Sequence, residues 1–240
     1  MKNTFLLLVI AFLVAACSDE VNIEAYYFPH QQLYDGLVYE YRAPNNPEQP
    51  PFYMYYRTVR TDTSIYLTGM QYDEQFRPSV FTREELLPTG VLLEEMYLYE
   101  PDSTGRQTQI GVEILANNVF PFRTNPERPG VLVWEARWHP PADQPTTLTL
   151  LRNRQFVRDT VVQVNGQSTD AVVFTVRELM DHEQVGHFET EYGGREVYAE
   201  GIGLVYYRKN VSEDFIVEYE LTDRFPMTEL ENRARRELER

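Results

Sequence analysis

The densest group of side chains able to do chemistry is DHEQVGHFETE, residues 181–191. It places His182, Glu183, His187 and Glu189 in one short stretch, and two imidazoles with a carboxylate are a ligand set for Zn²⁺. The spacing is not that of a zinc-protease helix. The second His follows at the fifth position rather than the fourth, off the same helical face, and Gly186 disfavours a helix there. His182, His187 and Glu189 are thus candidate metal ligands gathered from a loop. The plainer reading is a polar connection between strands. Two other groupings invite chemistry. Glu84-Glu85 and Glu94-Glu95 are paired acids, but glycoside hydrolysis needs carboxylates that flank a bond in space, and neighbours on a strand point apart. Trp134 and Trp138 share one strand face and could stack on a sugar; Leu132 and Ala136 complete that face as an apolar stripe, which favours core packing. No G-x-S-x-G elbow or phosphate-binding loop occurs.

Cys17 is the only cysteine, so it has no disulfide partner in the chain. It follows an apolar run over residues 5–16, shorter than the roughly 20 residues a membrane-spanning helix needs and suited to the core of a secretory signal. Lys2 supplies the positive start of such a signal. The run ends Val14-Ala15-Ala16-Cys17, which resembles the bacterial lipobox. That resemblance implies cleavage between Ala16 and Cys17, a diacylglycerol thioether on Cys17, and an acyl chain such as palmitate on its new amino group. Two chains of this kind anchor a protein stably where one does not. Ser18 rather than Asp follows the cysteine. By the enteric sorting pattern this points to the outer membrane, on its periplasmic or cell-surface face. Ser18-Asp19-Glu20 also resembles the short acidic export signal of Bacteroidota surface lipoproteins.

The elements that must position these residues are mostly strands. Period-2 alternation marks LVYEYR (37–42), FYMYYRTVR (52–60), SIYLTGMQYD (64–73), VLLEEMYLYE (91–100), RQTQIGVEIL (106–115), VLVWEARW (131–138), TTLTLLR (146–152), QFVRDTVVQV (155–164), DAVVFTVRE (170–178), GLVYYRK (203–209) and DFIVEYEL (214–221). Asn165-Gly166 is the strongest turn signal, Pro101 to Gly105 reads as a second hairpin turn, and Gly193-Gly194 as a third, between HFETEY and REVYAE. TREELL (82–87) reads as one or two helical turns ending at Pro88. TELENRARRELER reads as a mostly solvated C-terminal helix, with a capping box from Thr228 to Glu231. Three Pro-rich loops, 43–51, 121–130 and 139–145, belong at rims or edges.

The expected organisation is a signal peptide over 1–16, a lipidated N-terminus and tether over 17–36, an antiparallel β domain over 37–225 and a helix over 226–240. The fold class is mainly β: a single curved antiparallel sheet, half-barrel or barrel of about a dozen strands. Composition narrows the partners. The formal charge of −15 leaves no basic stripe for nucleic acid, and the acidic body is not drawn to anionic lipid, so contact with the membrane falls to the acyl chains. Lys2 and Lys209 are the only lysines.

REVYAEGIGLVYYRKN (195–210), preceded by VNGQSTDAVVFTV, resembles a hairpin pair in exported bacterial lipoproteins. Their domains are built like the LolA and LolB half-barrels, a curved sheet facing a helix or lid. The resemblance brings no catalytic residues. Gly201 and Gly203 read as structural, allowing a bend or a close approach where the sheet curls. The expected function is that of an envelope lipoprotein, not an enzyme, without cofactor other than its lipid, whose β domain binds an apolar ligand, a glycan or an envelope protein. The alternatives are a metal-dependent or hydrolytic enzyme using His182 and His187, and a structural accessory of an outer-membrane complex.

Cys17→Ser is expected to abolish acylation and cleavage of the signal. Metabolic labelling with an alkyne fatty acid checks this: label on the wild type and none on the variant is the expected result, and equal labelling removes the lipoprotein reading.

Overall fold

The computed structural model describes residues 20–143 and 145–239; Ala16, Cys17 and the signal segment lie outside the described residues. The strands are β1 (Val21–Asn22), β2 (Leu37–Arg42), β3 (Phe52–Arg60), β4 (Ile65–Tyr72), β5 (Pro78–Leu87), β6 (Gly90–Pro101), β7 (Gln107–Gly111), β8 (Glu113–Pro121), β9 (Arg123–Thr124), β10 (Val131–Trp138), β11 (Thr147–Val164), β12 (Gln167–Glu183), β13 (His187–Ala199), β14 (Gly203–Asn210) and β15 (Ile216–Phe225). One helix, α1 (Met227–Leu238), follows them.

Twelve strands form one antiparallel sheet in the order β5-β4-β3-β2-β15-β14-β13-β12-β11-β10-β8-β6, and pairing of β5 with β6 closes it into a barrel. Of the forms expected from the sequence, the closed barrel is the one found. It is not the open half-barrel that the LolA and LolB resemblance implied, and α1 packs on the outside. Closure satisfies the edge groups an open sheet would expose. The narrowest seam joins β6 to β8 through only Gly90↔Pro121, Val91↔Phe120 and Leu92↔Asn118; further along β6, β7 occupies that edge.

Alternation sorts the side chains. On β12, Val172, Phe174, Val176 and Glu178 are buried inward positions. On β2 both faces are buried, with Tyr39 and Tyr41 inside the barrel. Val38 and Glu40 lie beneath α1, where Leu230 packs with Val38, Tyr53 and Phe225 and Arg233 Nη1 sits 2.8 Å from Glu40 Oε2. The barrel's outward positions carry Arg83 paired with Glu95, and Arg195 and Arg208 facing each other across β13 and β14. A lipid-facing barrel wall would present an apolar band there. Among the described residues no helix is long and apolar enough to cross a membrane.

Residues 20–36 are not a tether but the floor of the barrel. Ile23, Tyr27, Phe28 and Leu33 are buried in the main core. Phe28 packs at a tilt 4.1 Å from Tyr56 and meets Tyr39 edge-on at 5.8 Å; Tyr27 lies 5.2 Å from Phe120. Backbone bonds fix the segment: Ile23 N donates to Phe122 O, Thr58 N to Leu33 O, and Gly201 N to Ala25 O. Fully burying an aromatic side chain of this size is worth about 1.5–3 kcal/mol.

Several local expectations are corrected. TREELL is strand β5, because its alternate residues serve two faces of a barrel wall. Gly193 and Gly194 lie inside β13, and the hairpin turn falls at residues 184–186. Here β13 leaves its partner β14, and a Cβ on Gly194 would stand 2.1 Å from the Arg208 carbonyl oxygen. Residues 147–164 are one long strand whose register shifts between Phe156 and Arg158, and the expected 106–115 strand divides into β7 and β8. The capping box does not form: Pro226 occupies the cap and no side chain caps the helix. Asn165-Gly166 makes the expected turn, with φ of 51° and 78°.

Gly201 and Gly203 are structural for different reasons. Gly201 sits in the β13–β14 turn at φ +67° with open space around it; Gly203 combines φ +99° with a Cβ position 2.4 Å from Phe28 Cδ1. Gly203→Val is therefore expected to destabilise by about 1–3 kcal/mol through overpacking, on top of backbone strain. The melting temperature falls by roughly 2–4 °C per kcal/mol for a domain of this size. A variant melting at or above wild type contradicts the seating of Phe28 on Gly203.

Candidate functional site

The floor segment fills only one end of the barrel. Above Tyr27 and Phe28 lies a cavity of about 660 Å³, open at the opposite end where Pro50, Pro51 and Asp73 form part of the rim. This is within the range of small-molecule sites. The wall made by β2, β3 and β6 presents Tyr41, Phe52, Met54, Leu93 and Met96, and β5 beside them adds Ser79, Val80, Thr82 and Glu84.

The facing wall, on β11 to β14, carries a ladder of charges. Arg154 Nε lies 2.8 Å from Glu196 Oε2, and Arg152 Nη2 3.0 Å from Glu196 Oε1. Arg152 Nε is 2.9 Å from Glu178 Oε1, and Lys209 Nζ 2.6 Å from Glu178 Oε2. Arg154 also donates to the Val119 carbonyl, and Tyr198 donates to Glu196 Oε2 at 3.0 Å. Trp134 and Tyr207 flank the Arg152 guanidinium at 5.9 and 5.8 Å from their ring centres, in cation–π geometry. Register explains the ladder's reach. Gly194 lies between Val176 and Lys209, so Lys209 crosses β13 where there is no side chain and reaches Glu178, its ammonium 4.1 Å from the ring centre of Tyr192.

The electrostatics are those of a buried network. Burial disfavours the charge on Glu196, but Arg154 and Arg152 outweigh it and hold its pKa below the usual carboxylate value. Burial likewise opposes the charge on Arg152, and Glu196 and Glu178 more than restore it. Glu84, on the opposite wall, behaves differently. Burial raises its pKa, offset only in part by the hydrogen bond from Tyr27 and the charge of Arg154. Burial, with Glu84 beside it, also pushes the Tyr27 phenol well up.

The residues singled out in the sequence lie elsewhere. His182 and His187 sit at the far end of the β12–β13 hairpin, which rises past the cavity mouth. His187 Nδ1 is 2.9 Å from Asp181 Oδ2; that hydrogen bond, and then the carboxylate's charge, raise the His187 pKa. His182 faces the Phe188 ring at 6.3 Å, and Glu189 lies opposite Asp181. Among the described residues no group of three or more His, Cys, Asp or Glu side chains is placed to hold a metal. Glu84 points into the barrel while Glu85 does not. Trp134 lines the cavity beside the core and Trp138 is buried.

The charge ladder escaped the sequence reading. A signal was present: Arg152 and Arg154 follow Leu150 on one strand phase and precede Phe156, Glu178 follows Val172, Phe174 and Val176, and Glu196 precedes Tyr198. Charges on the apolar phase of three successive strands imply partners across the barrel.

No family model matches the chain, and no curated protein matches it. Among solved structures, it is similar to a candidate exported protein with a YmcC-like fold from Bacteroides fragilis, at 12% identity and a TM-score of 0.49, over 79% of this chain and 94% of that one. It is also similar to a candidate lipoprotein from Parabacteroides distasonis, at 11% identity and a TM-score of 0.48, over 83% and 98% of the two chains.

Proposed function

We propose that the protein is a lipid-anchored envelope protein whose barrel is a non-enzymatic container for a small amphipathic or apolar molecule. The observation that carries this is the 660 Å³ cavity, left unfilled although the chain spends four buried residues plugging its floor. Interiors normally pack to near-crystalline density, and a barrel of twelve strands is wider than the eight-stranded barrels whose interiors side chains just fill, which leaves room for a ligand. A single open end favours a small molecule over a folded envelope protein. The lipobox-like segment ending at Cys17 supports the anchor, and Ser18 supports the outer membrane. Ile23 enters the floor six residues after Cys17, a reach of at most about 20 Å. Such an anchor sets the floor towards the membrane and the mouth away from it.

The neutral fluorophore N-phenyl-1-naphthylamine provides the test, using the chain from Ser18 to Arg240, which keeps every element described. Saturable, one-to-one fluorescence enhancement is expected. Met54→Trp, which extends a larger ring into the cavity, is expected to weaken it at least tenfold while the fold is retained by circular dichroism. Enhancement that is absent in wild type, or unchanged in the folded variant, refutes the container.

A further inference from the structure

The charged wall is not symmetric in what it shows to the cavity. Its carboxylates are covered: the side chains of Glu196 and Glu178 are 2% and 8% exposed. The two cations that bracket Glu178 are the more open groups, Arg152 at 17% and Lys209 at 24%. Arg154, deeper and 5% exposed, is committed to Glu196 and the Val119 carbonyl. The wall thus carries three cations against two carboxylates, and the most exposed of the five that line the cavity are Arg152 and Lys209. A further carboxylate, Glu84, lies on the far side and accepts from Tyr27. The opposite lining mixes Phe52, Met54, Leu93 and Met96 with Ser79, Thr82 and Gln71.

We infer that the cavity takes a single-chain amphiphile with a carboxylate head, the head seated on Arg152 and Lys209 and the chain lying against the apolar side chains of β3 and β6. This rests on the container reading and specifies its occupant. Arg152 and Lys209 share the one Glu178 carboxylate between them, and a ligand carboxylate beside them gives both cations a second acceptor. A guanidinium and an ammonium beside a single carboxylate give charge-assisted hydrogen bonds about twice as strong as neutral ones, and those gain further where water is excluded. A neutral alcohol of the same chain would leave these donors facing an uncharged partner. An amine would meet two cations.

The experiment is displacement of bound N-phenyl-1-naphthylamine by three twelve-carbon ligands: dodecanoate, dodecanol and dodecylamine. Dodecanoate is expected to compete at least tenfold more tightly than dodecanol, and dodecylamine more weakly than either. Lys209→Met is expected to bring the carboxylate-to-alcohol ratio close to one, while Lys209→Arg keeps it high. The melting temperature of each variant shows that the barrel is intact. Should Lys209→Met unfold, the wild-type ratio and the Lys209→Arg ratio still decide the matter. Equal competition by dodecanoate and dodecanol overturns the carboxylate site and leaves the container standing. Failure of the fluorophore itself to bind removes both.

Discussion

The ion-pair ladder Arg154–Glu196–Arg152–Glu178–Lys209 is the interaction on which the interior depends. It ties β11, β12, β13 and β14 together on their inner face. Removing one partner of a buried pair leaves a charge uncompensated, at a cost of about 3–5 kcal/mol. Each member is therefore held by its neighbours. Contact of this wall with Phe52, Met54 and Leu93 would desolvate Arg152 and Lys209 against side chains that offer no acceptor, which opposes collapse. A stretch of barrel that would otherwise fill with hydrocarbon stays open.

The floor supplies the complementary constraint. Phe28 occupies the space that Gly203 leaves vacant, and the ring set Phe28, Tyr39, Tyr56 and Tyr198 closes the lower end. Tyr39 and Tyr41 place their hydroxyls on the carbonyls of Ile202 and Leu204, so these buried phenols are satisfied and the β14 end of the floor is held to β2. The floor is aromatic, and the level above it is charged on one side. Polarity along the barrel axis thus follows from which strand positions carry Arg, Lys and Glu. The rim adds acidic Asp73, paired with Arg77 at 2.8 Å. An anion would approach an acidic body, so selectivity for it has to arise inside.

Much of the architecture was legible in the sequence. The alternation in residues 37–42, 52–60 and 203–209 marks strands that form where expected, and Asn165-Gly166 makes the turn its residues favour. The misreadings have physical causes. TREELL has helical propensity, but β4 and β6 on either side recruit it into the sheet, where tertiary pairing overrides local preference. Gly193-Gly194 resembles a turn because glycine serves both turns and close backbone approaches, and only the position of Arg208 separates the two. The floor was illegible for a different reason: residues 23–33 have no strand period, and their burial depends on a barrel end that exists only after closure. The site was hidden by the same logic. Attention to His and Cys led to the β12–β13 tip and to Cys17, whereas the interior charges are ordinary Arg, Glu and Lys whose meaning lies in strand phase.

The most direct measurement is a crystal structure of the protein purified from its own envelope without exposure to detergents that resemble the proposed ligand. Elongated density within the barrel is expected, one end within hydrogen-bonding distance of Arg152 and Lys209 and the remainder against Phe52, Met54 and Leu93. A barrel whose interior is closed by those side chains themselves, with Arg152 and Lys209 turned out to solvent, would contradict a ligand-holding interior.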